Sequence, residues 1–143
     1  MKNQDQVILR EIQKNTHMGM EAIDALMPRV TQKEFANELA KQAMKYGDYY
    51  ESATSILEKE KSRLYKDVAG TNRMLRSGIW LRTLGNCSTS HMAEMVIQGA
   101  NRGITDMYKV LNRNTHATKE IQNLAKELMD MEEKTIGRLK DFL

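Results

Sequence analysis

One pair of residues in this chain has the types and spacing that chemistry needs. His91 and Glu94 lie three apart, which on a helix puts an imidazole and a carboxylate on one face. Such a pair is the beginning of a metal or proton-handling site, but two ligands do not complete one. The plainer expectation is that they open a helix, with Glu94 compensating its dipole. His17, flanked by Thr16 and close to Glu21, reads as a hydrogen-bonded neighbour of a buried stripe before it reads as a ligand. His116 sits in a polar loop and receives no role. Tyr46, Tyr49 and Tyr50 form a cluster that either lines a small pocket or hydrogen-bonds inside a core, tyrosine being a large apolar body with one polar end. Cys87 has no identifiable base near it in sequence and is not read as a nucleophile. No phosphate-binding glycine loop, serine-hydrolase elbow or zinc-type cysteine pattern is present.

Helices must position these groups. Residues 88–111 carry apolar or small residues at Met92, Met95/Val96, Gly99, Gly103, Met107 and Val110/Leu111, the period of a helix with one buried face. Gly99 and Gly103 share that face, and each costs about 1 kcal/mol against alanine in a helix interior. Their presence points to close approach by a facing element, which makes this the central helix of a bundle. A first helix is placed at 4–27, with Ile8, Ile12, Gly19, Ile23 and Leu26 inward and Pro28 closing it. A second follows at 32–60, opened by a capping box of Thr31 and Glu34. Its inward residues are Phe35, Leu39, Ala43, Tyr46, Tyr50, Ala53 and Leu57. The crossover at 61–90 contains a short amphipathic helix at 72–84, built on Met74, Leu75, Ile79, Trp80 and Leu84. Ser90 is placed to cap the third helix, at 91–111. The fourth runs over 118–142 with Leu124, Leu128, Met131, Thr135 and Phe142 inward.

Composition agrees. The chain has 143 residues, one proline and eight glycines, with few aromatics, as helices favour. Its length suits a single domain. Eleven methionines, among them Met18, Met20, Met92 and Met107 on or beside inward stripes, read as adaptable core filling, with an apolar ligand or partner helix as the minority alternative. No run of eighteen apolar residues exists, so no membrane insertion is expected. The opening MKNQDQVILREI lacks the apolar stretch of a signal peptide, and a lone cysteine forms no internal disulfide. A soluble cytoplasmic protein is expected. The net charge is +3, while 58–82 alone contributes +4, with seven basic residues (Lys59, Lys61, Arg63, Lys66, Arg73, Arg76 and Arg82) against three acidic ones (Glu58, Glu60 and Asp67). That strip is read as a solvated face. Nucleic-acid binding is not the favoured use, since aromatics interleaved for stacking are missing beyond Tyr65 and Trp80.

The chain also repeats itself. A shift of 84 residues overlays Ile8, Ile12, Gly19 and Ile23 on Met92, Val96, Gly103 and Met107, and a shift of 85 overlays Leu39–Met44 on Leu124–Met129. Two related hairpins joined by a long connection make a four-helix bundle with one crossover.

With THMGMEAIDALMPRV in the first helix, STSHMAEMVIQGANRGITDMYKVL in the third and EEKTIGRLKDFL in the fourth, this plan resembles the ferritin-like superfamily. The nearest resemblance is to small ferritin-like domains of spore-forming bacteria, of the spore-coat protein F type. It covers essentially the whole chain and implies an all-α fold of two helical hairpins, with an association with sporulation or the coat. A di-iron member would carry a carboxylate on each of two helices and Glu-x-x-His on the other two. Here the fourth helix reads Glu132-Glu133-Lys134-Thr135, with threonine in the histidine position, and the second reads Tyr46-Gly47-Asp48-Tyr49-Tyr50. Gly19 and Gly103 stand where the other carboxylates are expected.

The expectation is therefore a metal-free ferritin-like bundle, one domain over 1–143, acting as a structural or interaction protein and not by catalysis. It is expected to pair as a homodimer through Ile79 and Trp80 or through the Gly99/Gly103 face. One alternative is a residual iron or manganese protein using Glu132, Glu94 and either His17 or His91. Another is an anionic partner bound by the basic strip.

Overall fold

A computed structural model of the chain describes residues 2–60, 75, 78, 79, 83 and 85–143. Among these there is no strand, and four long helices pack together: α1 (Asn3–Leu26), α2 (Lys33–Lys59), α3 (Thr89–Arg113) and α4 (Lys119–Leu139). Short 3₁₀ turns, Met27–Arg29 and Lys140–Phe142, follow α1 and α4. Pro28 lies in the first of them, where its missing N–H and fixed φ stop α1 from continuing.

The inward stripes become one core. Ile8, Ile12, Leu26, Phe35, Leu39 and Leu57 are fully covered, together with Met92, Met107, Leu128 and Leu139. Phe35 meets Phe142 at a ring-centroid distance of 5.3 Å, closing one end of the bundle. α1 touches each of the other three helices.

Side-chain pairs fix the directions. Gln13 donates to Thr54 and Gly19 faces Tyr46, so α1 and α2 are antiparallel. Gly103 faces Glu132 across the α3–α4 hairpin. Asp5 meets Thr118 and Asn15 meets Glu132, so α1 and α4 run the same way. It follows that α2 and α3 are parallel, and a connection between them must travel the length of the bundle. The long segment 60–88 is that connection.

Helix ends differ in detail from the sequence reading. α2 starts at Lys33 with Gln32 as its N-cap, and no side chain caps it, so the Thr31/Glu34 box does not form. The first backbone bond, Ala36 N–H to Gln32 O, leaves Thr31 one residue too early. At α3 the cap is Ser88, two residues before Ser90, its hydroxyl accepting the His91 N–H at 3.2 Å. The extra turn carries Thr89 and Ser90 into the helix.

Of the crossover helix expected over 72–84, Leu75, Gly78, Ile79 and Thr83 are described and helical, with the Thr83 hydroxyl donating to the Ile79 carbonyl. Trp80 and all of the basic strip except Lys59 lie outside the described residues. Ile79 is buried within the chain, 7% exposed.

Candidate functional site

The inward phase of α2 carries two polar residues, Gln42 and Tyr46, one turn apart. That of α4 carries Glu132, and α1 adds Asn15. These four meet in the middle of the bundle. The Tyr46 hydroxyl donates to Glu132 Oε2 at 3.0 Å, and Asn15 Nδ2 donates to Glu132 Oε1 at 3.1 Å. Gln42 Nε2 donates to the Tyr46 oxygen at 3.3 Å. Because the phenol spends its proton on the carboxylate, only its lone pairs face Gln42, which fixes the amide with nitrogen towards tyrosine. Gln42 Oε1 is then left buried with no hydrogen-bond partner.

Glycines make this meeting possible. A Cβ at Gly19 would sit 2.5 Å from a Tyr46 ring carbon, and one at Gly103 would sit 2.6 Å from Asn15 Nδ2 and 2.9 Å from Glu132 Oε2. Gly103 is thus the point of close approach that its place in the stripe implies. Gly99 is not: it is exposed, a Cβ there meets nothing within 4 Å, and Ala100 and Ile104 take the buried positions.

Glu132 is 1% exposed. Burial raises its pKa to about 7, against the opposing pull of the Tyr46 and Asn15 hydrogen bonds, which favour the charged form. Burial and the neighbouring carboxylate together hold the Tyr46 phenol well above its usual value.

The cluster borders a cavity of about 350 Å³ between α1, α3 and the crossover. Its walls are apolar, among them Met18, Ile23, Leu75, Ile79, Met95 and Val96. Charged side chains that line it are Glu11 and Lys14 from α1 and Arg102 and Asp106 from α3, the last two forming an ion pair at 3.3 Å.

The remaining candidates stand elsewhere. His91 and Glu94 occupy the first turns of α3, 4.0 Å apart, with Glu94 more than half exposed. His17 is half-buried beside Tyr50, ring centroids 6.4 Å apart. Cys87 is exposed. Of the three tyrosines, Tyr46 alone is buried. Thr135 spends its hydroxyl proton on the Met131 carbonyl of its own helix at 2.9 Å.

This donor set does not fit a two-metal centre. Such a site needs several carboxylates converging with imidazoles, whereas the described residues at the bundle centre offer one carboxylate, two amides and a phenol. Among the described residues no three of His, Cys, Asp and Glu gather where they could share an ion. Comparison with known proteins adds no relative: no family model, curated protein or solved structure matches the chain.

The buried cluster is partly visible in sequence. Tyr46 falls on the inward stripe, but Ala43 was the expected inward residue where Gln42 is buried and Ala43 only partly so. A glutamine at i+3 from Leu39 and i−4 from Tyr46 is the missed signal. Asn15 carries none, since its role depends on the absence of a side chain at Gly103.

Proposed function

We propose that the chain is a ferritin-like bundle that works by binding, and that its centre takes up a small apolar molecule where di-metal relatives of the fold hold ions. The observation that carries this reading is the cavity of about 350 Å³, apolar in its walls and polar at one end. That size falls at the lower end of the range of small-molecule sites, and the combination of apolar walls with a few convergent polar groups is their usual character. The parallel α2 and α3 and the long crossover between them support the ferritin-like assignment. The donor set at the centre favours the binding reading over an iron or manganese protein.

Fluorescence titration with N-phenyl-1-naphthylamine, a small apolar probe, tests it. Saturable binding of about one probe per chain is expected, weakened by Gly99→Leu, whose side chain enters open space at the cavity wall. Absence of saturable binding, together with stoichiometric iron or manganese in protein purified without chelators, overturns it.

A further inference from the structure

The polar end of the cavity is short of donors. Its acceptors include the two Glu132 oxygens and Gln42 Oε1, while Asn15 and Tyr46 each donate one bond to Glu132 and Gln42 donates one to Tyr46. An ionised carboxylate accepts about four hydrogen bonds, and Glu132 receives two. Gln42 is 1% exposed, and its Oε1 receives none. A buried acceptor without a donor costs roughly 1–3 kcal/mol, and a buried carboxylate without a counter-charge costs more. Among the described residues no free cation stands at this end: Arg102 is paired with Asp106, and Lys14 is exposed.

We infer that the molecule this cavity takes is a primary or secondary amine with a small apolar body, its ammonium group donating to Glu132 and Gln42. This rests on the binding reading proposed above and specifies its ligand class. An ammonium group brings what the site lacks, N–H donors and a positive charge, while its body lies against Met18, Ile23, Ile79 and Val96. An alcohol of the same shape satisfies one acceptor and leaves the charge unmatched. A carboxylate ligand meets Glu132 with like charge and is rejected. Among the described residues the other titratable groups that line the cavity are Glu11 and Lys14 on α1, Tyr46 on α2, and Arg102 and Asp106 on α3. These are two acids, two bases and a phenol, and they leave Glu132 as the unbalanced charge.

The test compares hexylamine, 1-hexanol and hexanoate, which share one chain length, by calorimetric titration of the whole protein at pH 8. Hexylamine is expected to bind at least about tenfold more tightly than hexanol, the scale of a charge-assisted hydrogen bond, with hexanoate weakest. Glu132→Gln is expected to erase the roughly tenfold advantage of the amine over hexanol. Should that variant fail to fold, the parent protein gives an independent measure. Lowering the pH from 8 to 5 is expected to weaken hexylamine and leave hexanol unchanged, and the Gln42 side-chain amide resonances are expected to shift with hexylamine. Equal binding of hexanol and hexylamine overturns the amine assignment but leaves the cavity reading standing. Failure of all three ligands removes both, and an amine preference that survives Glu132→Gln overturns the role given to Glu132.

Discussion

Tyr46 and Glu132, 86 residues apart in sequence, each occupy the space left by a glycine on the neighbouring helix and join by a hydrogen bond of 3.0 Å at the centre of the bundle. Gly19 faces Tyr46 in the first hairpin as Gly103 faces Glu132 in the second. The two hairpins therefore use one packing device, a glycine on the leading helix admitting a large polar residue from the returning helix. This is where the internal repeat acquires a physical meaning.

Stability should depend on pH through Glu132. Its folded-state pKa of about 7 lies above the unfolded value, so the folded chain holds this proton more tightly. Where the folded state binds more protons, stability falls as pH rises. The loss runs from about pH 4.5 to about pH 7 and is complete above that, with a ceiling of roughly 3 kcal/mol from the size of the shift. Urea unfolding of the parent and of Glu132→Gln at pH 4 and pH 8 checks this. The difference in unfolding free energy is expected to move in the variant's favour at pH 8, and an unchanged difference contradicts the assignment.

Two glycines on α1 and α3 should respond oppositely to alanine. At Gly19 the new methyl meets the buried Tyr46 ring at 2.5–2.9 Å. The ring is pinned by Gln42 and Glu132, so overpacking of roughly 1–3 kcal/mol outweighs the gain in helix propensity. At Gly99 nothing lies within 4 Å, and Gly99→Ala is expected to stabilise by up to about 1 kcal/mol. Thermal unfolding midpoints that move in opposite directions confirm the distinction.

Much of the architecture could be read from the periodicity alone, because buried stripes such as Ile8, Ile12, Ile23 and Leu26 recur at helical spacing whatever packs against them. The stripe could not tell Gly99 from Gly103. Both fall on the same face, and only the position of α1 and α4 decides which is covered. The caps failed for a local reason: Ser88 and Ser90 both suit an N-cap, and so do Thr31 and Gln32 by position, leaving tertiary packing to choose. The buried polar cluster was least legible. Asn15, Gln42, Tyr46 and Glu132 come from three helices, and the cavity beside them also needs Leu75 and Ile79, which no helical stripe ties to it.

Asp5 is expected to matter out of proportion to its position near the start of α1. It is 4% exposed, accepts the Thr118 N–H at 2.6 Å and the Thr118 hydroxyl at 2.7 Å, and so holds the start of α4 from another helix. Thr118 is the N-cap of α4, and its side chain makes no capping bond of its own. An anion at this end also meets the helix dipole favourably. Asp5→Ala is expected to cost about 1–3 kcal/mol in urea unfolding and to speed hydrogen exchange in the first turn of α4. A change confined to α1 contradicts a linking role.

Divalent metals offer the sharpest separation between the binding reading and its metalloprotein rival. A ligand that binds only the folded state stabilises it by RT ln(1 + [L]/Kd), about 2.7 kcal/mol at a hundredfold excess over Kd. A true di-metal centre would respond to ferrous or manganous ion on that scale. With one carboxylate at the bundle centre among the described residues, and with His17 and the His91/Glu94 pair held apart from it, no such response is expected. Differential scanning fluorimetry under anaerobic conditions, with and without excess Fe²⁺ or Mn²⁺, reads this directly. Hexylamine in the same assay should raise the midpoint at pH 8. If the metal raises it and the amine does not, Glu132 serves an ion, and the absence of histidine at Thr135 no longer argues for a cavity that binds amines.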